Sequence, residues 1–291
     1  MSDFLSAGLH HGVPMARYQA DPCPLPSASA GILQTLLSWS PAHAWHAHPR
    51  LNLQWQPEQK AEFDFGAAAH SMLLESDEAS LAVVDAKDWR TKAAQEARDD
   101  AHAAGKTPIL ARQLVTVRAM VAEAKRAVEK SELAGIFARG KPEVTAIWQE
   151  RELWFRSRFD WLTDDQRLIV DYKTTSKAEP DTFIRGPLVA LGYDLRAAFY
   201  LRALRKLGGP ENAKFVWLVQ EADEPFACSL IGMGPQMEEI AGKKIDYALA
   251  LWHQCMTTGV WNGYPNRVAW AELPAYAVSR IEEMLEFGSQ A

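Results

Sequence analysis

Hydrophobic and polar positions alternate at two periods along the chain, and the period changes define the elements. Ile32, Leu33, Leu36 and Leu37 form an apolar stripe at helical spacing, and Ser29 stands where an N-cap belongs. Ser40-Pro41 opens a second short helix carrying His43, His46 and His48, which read as a surface cluster rather than a metal site. Residues 58–76 read as a helix with Phe63, Ala67, His70 and Leu74 on one face. Residues 79–85 are strand-like. Residues 86–104 are charged, alanine-rich and partly helical, and Gly105–Leu110 interrupts them. A long helix at about 111–134 places Leu114, Val117, Val121, Ala124 and Val128 on one side.

From residue 142 onward the period falls to two. Glu143–Trp148, Leu153–Leu162 and Arg167–Thr174 read as three successive strands. A helix at 188–207 stops at Gly208-Gly209-Pro210. Phe215–Val219 and Ala227–Ile231 form another strand pair. A helix at 234–256, a tail bearing Trp261, Tyr264 and Trp270, and a short helix at 276–287 complete the pattern. No internal repeat is evident. Residues 1–30 are irregular, with turn formers dense between Asp21 and Ser29. The expected organisation is that irregular segment, then a single domain over 31–291 with a helical N-terminal portion and a C-terminal helical extension.

Composition narrows the classes. The 291 residues are 48% hydrophobic and 23% charged, ordinary for a globular protein. A formal net charge of −6 gives no support to a generally basic nucleic-acid coat, though it leaves room for a local basic cleft. Cys23, Cys228 and Cys255 lie far apart and make neither a zinc knuckle nor a four-cysteine iron–sulfur set, so no iron–sulfur cluster is expected. No apolar run reaches the ~18 residues of a membrane span, and the first residues lack a basic region followed by an apolar core. The expected setting is the cytoplasm.

The chemistry concentrates in 142–176. Strand alternation puts Arg156, Arg158 and Asp160 on one face and Phe155, Phe159 and Trp161 on the other. In the next strand Ile169, Asp171 and Lys173 share a face, opposite Leu168, Val170 and Tyr172. Asp160 and Asp171 meeting across the hairpin would repel, and a hard divalent cation, Mg²⁺ or Mn²⁺, resolves that conflict. Such an ion neutralises a phosphate oxygen and acidifies its water. Lys173 can orient that water or stabilise charge developing on the attacked phosphate; it is a poor lone base unless its pKa falls. Glu143 can add a carboxylate and His70 a ring nitrogen. Taken alone, His70 reads as a core histidine and Glu143 as a solvated strand end. Arg156 and Arg158 either pair with nearby acids or contact phosphate.

The ordered set Ser27–Gly31, Ser40–His43, Phe65–His70, Gly105–Leu110, Pro142-Glu143, Arg158–Asp160, Asp171–Thr175 and Gly192–Tyr200 resembles the PD-(D/E)xK nuclease superfamily, and within it the phage-type RecE-like (exodeoxyribonuclease VIII-like) exonucleases. The resemblance covers most of residues 20–230. It implies an α/β restriction-endonuclease-like core, a central mixed sheet flanked by helices. His70, Asp160 and Asp171 would ligate metal, the Tyr172 backbone carbonyl could complete the coordination, Glu143 would lie close to the metal-bound water or in the metal shell, and Lys173 would be the catalytic lysine. The implied activity is 5'-to-3' digestion of one strand of linear double-stranded DNA to 5'-mononucleotides, leaving 3' overhangs. A homo-oligomeric ring, a phage single-strand-annealing partner and a prophage setting are implied with it. Arg196 departs from the family pattern, which often has glutamine four residues before the tyrosine. It can clamp phosphate or pair with a local acid. Tyr200 can hydrogen-bond a nucleotide phosphate or simply pack on the sheet. A nuclease of other polarity, a structure-specific endonuclease, and an inactive scaffold for DNA or a recombination protein stay open as alternatives.

Overall fold

The computed structural model describes residues 4–57 and 61–288; the side chains of 61–64 and 288 are left aside, so the placement of Phe63 lies outside the described residues. In chain order the strands are β1 (Gly8–His10), β2 (Ser27–Ala28), β3 (Leu81–Val84), β4 (Thr107–Leu110), β5 (Gly140–Glu150), β6 (Leu153–Thr163), β7 (Leu168–Thr175), β8 (Lys214–Glu221) and β9 (Cys228–Gly232). The helices are α1 (Met15–Gln19), α2 (Ala30–Ser38), α3 (Pro41–Ala47), α4 (Ala61–His70), α5 (Lys92–Ala103), α6 (Ala111–Glu129), α7 (Pro180–Phe183), α8 (Tyr193–Lys206), α9 (Pro235–Thr258) and α10 (Ala275–Gly288).

A seven-stranded sheet runs β1-β5-β6-β7-β8-β9, with β2 added beside β6. Its pairs are antiparallel except β7/β8 and β2/β6, so the sheet is mixed. The parallel β7/β8 pair needs a crossover, which α7 and α8 supply. One face of the sheet packs Trp148, Phe155, Phe159, Phe215 and Trp217 against α2, α8 and α9. The other packs Val170, Tyr172 and Leu218 against α6 and the residues at the end of α4. The result is the expected α/β fold, a mixed central sheet between helical layers, consistent with a restriction-endonuclease-like core. Gly192, at φ +69°, opens α8 where any Cβ would collide with Gln34 of α2, so these two helices approach closely.

Several elements differ from the pattern reading. Thr107–Leu110 does not merely interrupt a helix; it is a strand, paired in parallel with β3 in a separate two-stranded sheet. Residues 1–30 contain two strands that join the main sheet, too short for periodicity to reveal. His48 is not part of a surface cluster. It is fully buried, donating from Nε2 to the Ser27 carbonyl (3.0 Å) and accepting the Arg50 and Leu51 amides at Nδ1 (3.1 and 3.2 Å).

That histidine belongs to a buried polar knot that fastens residues 4–28 to β6. Asp21 accepts from the Ser27 amide (2.8 Å) and hydroxyl (2.6 Å). The Arg156 guanidinium lies 3.4 Å from the Asp21 carboxylate and also donates to the Ser27 hydroxyl (2.8 Å) and carbonyl. Removing one member of such a buried charged set leaves the others unpaired, a loss of ~3–5 kcal/mol. Burial, reinforced by Arg156 and opposed by Asp21, lowers the His48 pKa to about 4. Both its nitrogens are committed, and a proton at Nδ1 would displace two amides. The unfolded imidazole titrates near ~6.5, so between there and pH 4 the unfolded chain holds the extra proton and stability falls with falling pH. The expected contribution is up to ~3 kcal/mol across that window. Urea melts at pH 7 and pH 4.5 should show it, and His48→Gln should flatten this part of the profile. Parallel pH profiles for the two proteins would refute the assignment.

Candidate active site

The sheet opens at one level across three neighbouring strands. Pro142 pairs with Trp161 and Val144 with Phe159, but Glu143 and Asp160 between them do not pair. Glu143 has φ +55°, a left-handed conformation that costs ~1–3 kcal/mol in a non-glycine residue. On the other side, β6 pairs with β7 through Trp161–Val170 and Leu162–Ile169, and the ladder ends before Asp160 and Asp171. The Asp160 carboxylate takes the place of a backbone acceptor there, receiving the Tyr172 amide at 3.0 Å. The break also resets the side-chain alternation. Counting from Phe155 puts Trp161 with Phe159, yet Phe155 and Phe159 pack on the α8 side and Trp161 on the α6 side. Period-two counting assumes an uninterrupted ladder, and this one is interrupted at the residue that carries the chemistry.

His70, at the end of α4, sits between two of these acids. Nδ1 is 3.2 Å from Glu143 Oε1 and Nε2 is 3.0 Å from Asp160 Oδ2. The helix then changes to a π turn over Ser71–Glu75. In an α-helix a residue five positions on lies about 140° round the axis, whereas the wider turn returns Glu75 to the side of His70. Ligand atoms of His70, Glu75 and Glu143 lie within 4.8 Å of one another, a cluster able to hold a divalent cation. Glu75 is the acid that sequence reasoning missed, because no residue pattern marks the π turn that carries it there.

Lys173 lies on the same side of β7 as Asp171. Its ammonium is 2.5 Å from Asp171 Oδ2 and 3.6 Å from Asp160 Oδ2, and it donates to the Tyr172 carbonyl at 3.1 Å. The Tyr172 side chain points away, bonding Gln220 at 2.6 Å in the opposite core, so only its backbone faces the site. Asp171 is 1% exposed, and apart from the Lys173 ammonium no donor among the described residues reaches its carboxylate oxygens. Arg158 is committed to the protein. It pairs with Glu143 and donates to the Val13 carbonyl at 2.5 Å. Arg196 and Tyr200 come from α8. The Arg196 guanidinium lies over the Tyr193 ring (5.8 Å) and has no carboxylate partner among the described residues. Tyr200 packs its ring on Phe159 (5.3 Å) and Phe215 (6.2 Å). All these groups except Asp171 line one cleft of about 1370 Å³.

Electrostatics show the strain of this crowding. Burial raises the Asp171 carboxyl, neighbouring Asp160 raises it further, and Lys173 only partly offsets them. Burial likewise raises Glu143. Burial acts in the same direction on Asp160, but Lys173 and His70 reverse it and hold Asp160 well below the ordinary carboxylate range. Burial would depress His70, and Asp160 and Glu143 more than compensate. Lys173 is likewise held above its ordinary value by Asp171 and Asp160 against the effect of burial. Carboxylates that resist ionising together, one of them buried with a single lysine as partner, fit a hard cation bound by oxygen and one imidazole nitrogen.

An α/β mixed sheet whose ladder opens around Asp, Asp-x-Lys, Glu and His defines the PD-(D/E)xK superfamily class. The chain belongs to the family described as "PDDEXK-like domain of unknown function (DUF3799)", which it matches over residues 32–273. Its fold is similar to the crystal structure of a "Putative exonuclease" from Eubacterium rectale, with a TM-score of 0.58 at 12% identity, covering 92% of this chain and 96% of that one. A second solved structure, that of SSO0001, aligns at a TM-score of 0.28 and 10% identity over 67% of this chain and 87% of that one, too low to bear on the fold. No curated protein matches the chain. Among the described residues, no helix is long and apolar enough to cross a membrane.

The cluster makes a direct prediction. Mn²⁺ titrated into the protein, followed by electron paramagnetic resonance of the free ion, should show saturable binding. Glu75→Gln should weaken it by roughly tenfold or more, at least the effect of losing an outer-sphere partner. Equal affinity in the variant would remove Glu75 from the ligand set.

Proposed function

We propose that the protein is a metal-dependent deoxyribonuclease that degrades linear double-stranded DNA from its 5' ends, releasing 5'-mononucleotides and leaving 3' single-stranded overhangs. The observation that carries the nuclease reading is the convergence of Glu143, Asp160, Asp171 and Lys173 where three strands part, inside a cleft that also presents Arg196. The polarity, a ring-shaped homo-oligomer and a single-strand-annealing partner rest on the resemblance of the ordered motifs to RecE-like exonucleases.

His70, Asp160, Asp171, Glu143 and the Tyr172 carbonyl are the groups available to hold Mg²⁺ or Mn²⁺, with Glu75 added by the structure. The bound ion would polarise the scissile phosphate and acidify a water. Attack of a water on phosphorus would break the P–O3' bond, so the terminal nucleotide would depart with a 3'-hydroxyl and the phosphate would stay on the new 5' end of the remaining strand, each following nucleotide then leaving as a 5'-mononucleotide. Lys173 is protonated at neutral pH, so it acts as a cation that steadies the water and the charge growing on the phosphoryl oxygens, not as the base. Glu143, held by Arg158, is placed to take the water's proton. Arg158 therefore serves the substrate through Glu143. Arg196, which has no acid partner among the described residues, contacts phosphate directly, and Tyr200 supports it from the next turn of α8.

Linear duplex carrying distinct 5' and 3' labels, incubated with Mg²⁺ or Mn²⁺, tests the reading. Early release of the 5' label as mononucleotide is expected, and Asp171→Ala should lose nearly all turnover while remaining folded. Internal fragments or early 3'-label release would replace the polarity, and an active Asp171→Ala protein would overturn the site. Lys173→Ala should lower single-turnover cleavage far more than DNA affinity, because its contact strengthens as charge develops. A variant that cleaves normally but binds poorly would contradict that role.

A further inference from the structure

Residues 4–28 lie outside the stretch matched to the family, 32–273, yet they build one wall of the cleft. Gly12, Val13, Pro14, Met15, Tyr18 and Gln19 line it opposite α8. The wall is fixed at both ends. β1 pairs with β5 ahead of it, and the Asp21 knot locks the chain behind it. Arg158 adds a third tie by donating to the Val13 carbonyl at 2.5 Å.

Tyr18 is the aromatic of this wall. Its ring lies against two guanidinium groups, Arg156 (5.7 Å) and Arg158 (6.0 Å). Those contacts hold the ring by cation–π attraction and leave the hydroxyl without a hydrogen-bond partner among the described residues. Across the cleft, Tyr200 is 7% exposed and its hydroxyl is likewise unpartnered among the described residues. Between them, Arg196 keeps its donors free of any carboxylate. The three groups are close enough to influence one another electrostatically. Two phenols and a guanidinium offer only donors to an anion when the phenols are protonated. Tyr18 and Arg196 are half-buried, and all three side chains line the cleft, where their donors are open to a ligand.

The geometry points to Tyr18 as a substrate-contacting residue that, with Arg196 and Tyr200, forms a pocket for a DNA backbone phosphate neighbouring the scissile one. This rests on the nuclease reading above and deepens it. The pocket borders the metal-ligand cluster, since Arg196 and Lys173 both lie over the Tyr193 ring (5.8 and 5.6 Å), but its own groups ligate no metal, so it governs where the strand lies.

Tyr18→Phe removes the hydroxyl and keeps the ring over both arginines, so the wall and the melting temperature should be retained. In a Lys173→Ala background, which spares the DNA, affinity for a fluorescein-labelled linear duplex with Mg²⁺ should fall roughly tenfold, as for a lost hydrogen bond to a charged group. In the otherwise native protein, KM should rise by a similar factor while kcat changes far less. A duplex series with single neutral methylphosphonates locates the phosphate. One position near the end should weaken binding to Lys173→Ala and have little further effect once Tyr18→Phe is present. Unchanged affinity and KM in Tyr18→Phe, or equal sensitivity to every methylphosphonate in both backgrounds, would overturn the pocket while leaving the nuclease reading intact. A native protein that neither cleaves nor binds duplex would overturn both.

Discussion

Repulsion among carboxylates is the constraint around which this molecule is arranged. Glu143, Asp160 and Asp171 come from three adjacent strands at one level of the sheet, in a place where water cannot screen them well. In an unbroken ladder Glu143, Asp160 and Asp171 would stand directly opposite one another on one face, with their carboxylates side by side. The ladder is broken instead. Glu143 adopts a left-handed backbone, and the Asp160 carboxylate stands in for a missing carbonyl at the Tyr172 amide. Two cations, Lys173 and Arg158, and the His70 imidazole surround the group. The layers of Phe155, Phe159, Trp217 and α8 on one side and Tyr172, Leu218 and α6 on the other hold the strands where that opening can persist.

Long periodic elements were legible in the sequence. The α6 stripe from Leu114 to Val128, the strands around Asp160 and Asp171, and α8 with its glycine stop all have enough residues for periodicity to dominate local preference. Short elements were not. Three residues of β1 and two of β2 take their conformation from pairing with β5 and β6, which no local pattern encodes. The strand Thr107–Leu110 carries a proline and only four residues, and its partner is β3, more than twenty positions earlier.

At the site, residue types and spacing brought Asp160, Asp171, Lys173, Glu143 and His70 into one hypothesis, and the structure puts them in contact range of one another. What spacing could not supply was the direction of side chains where regular geometry fails. Trp161 turns to the other face because the ladder opens beside it, and Glu75 reaches His70 because a helix widens for one turn. Arg158 and Arg196 looked interchangeable as phosphate contacts. Their difference lies in tertiary partners: the first is taken up by Glu143 and Val13, the second by no acid among the described residues.

The knot around Asp21 also sets an order of events. Its arginine, Arg156, is 129 positions from Ser27, so the knot behind Tyr18 cannot close until β6 is in place. Contacts of such sequence separation form late, after loop closure has been compensated by nearer ones. The candidate metal-binding acids and the N-terminal wall of the cleft thus depend on contacts of different sequence separation. A partly folded chain could assemble the acids of β5 to β7 while the cleft still lacks one side, and the complete groove becomes a marker of the finished native state.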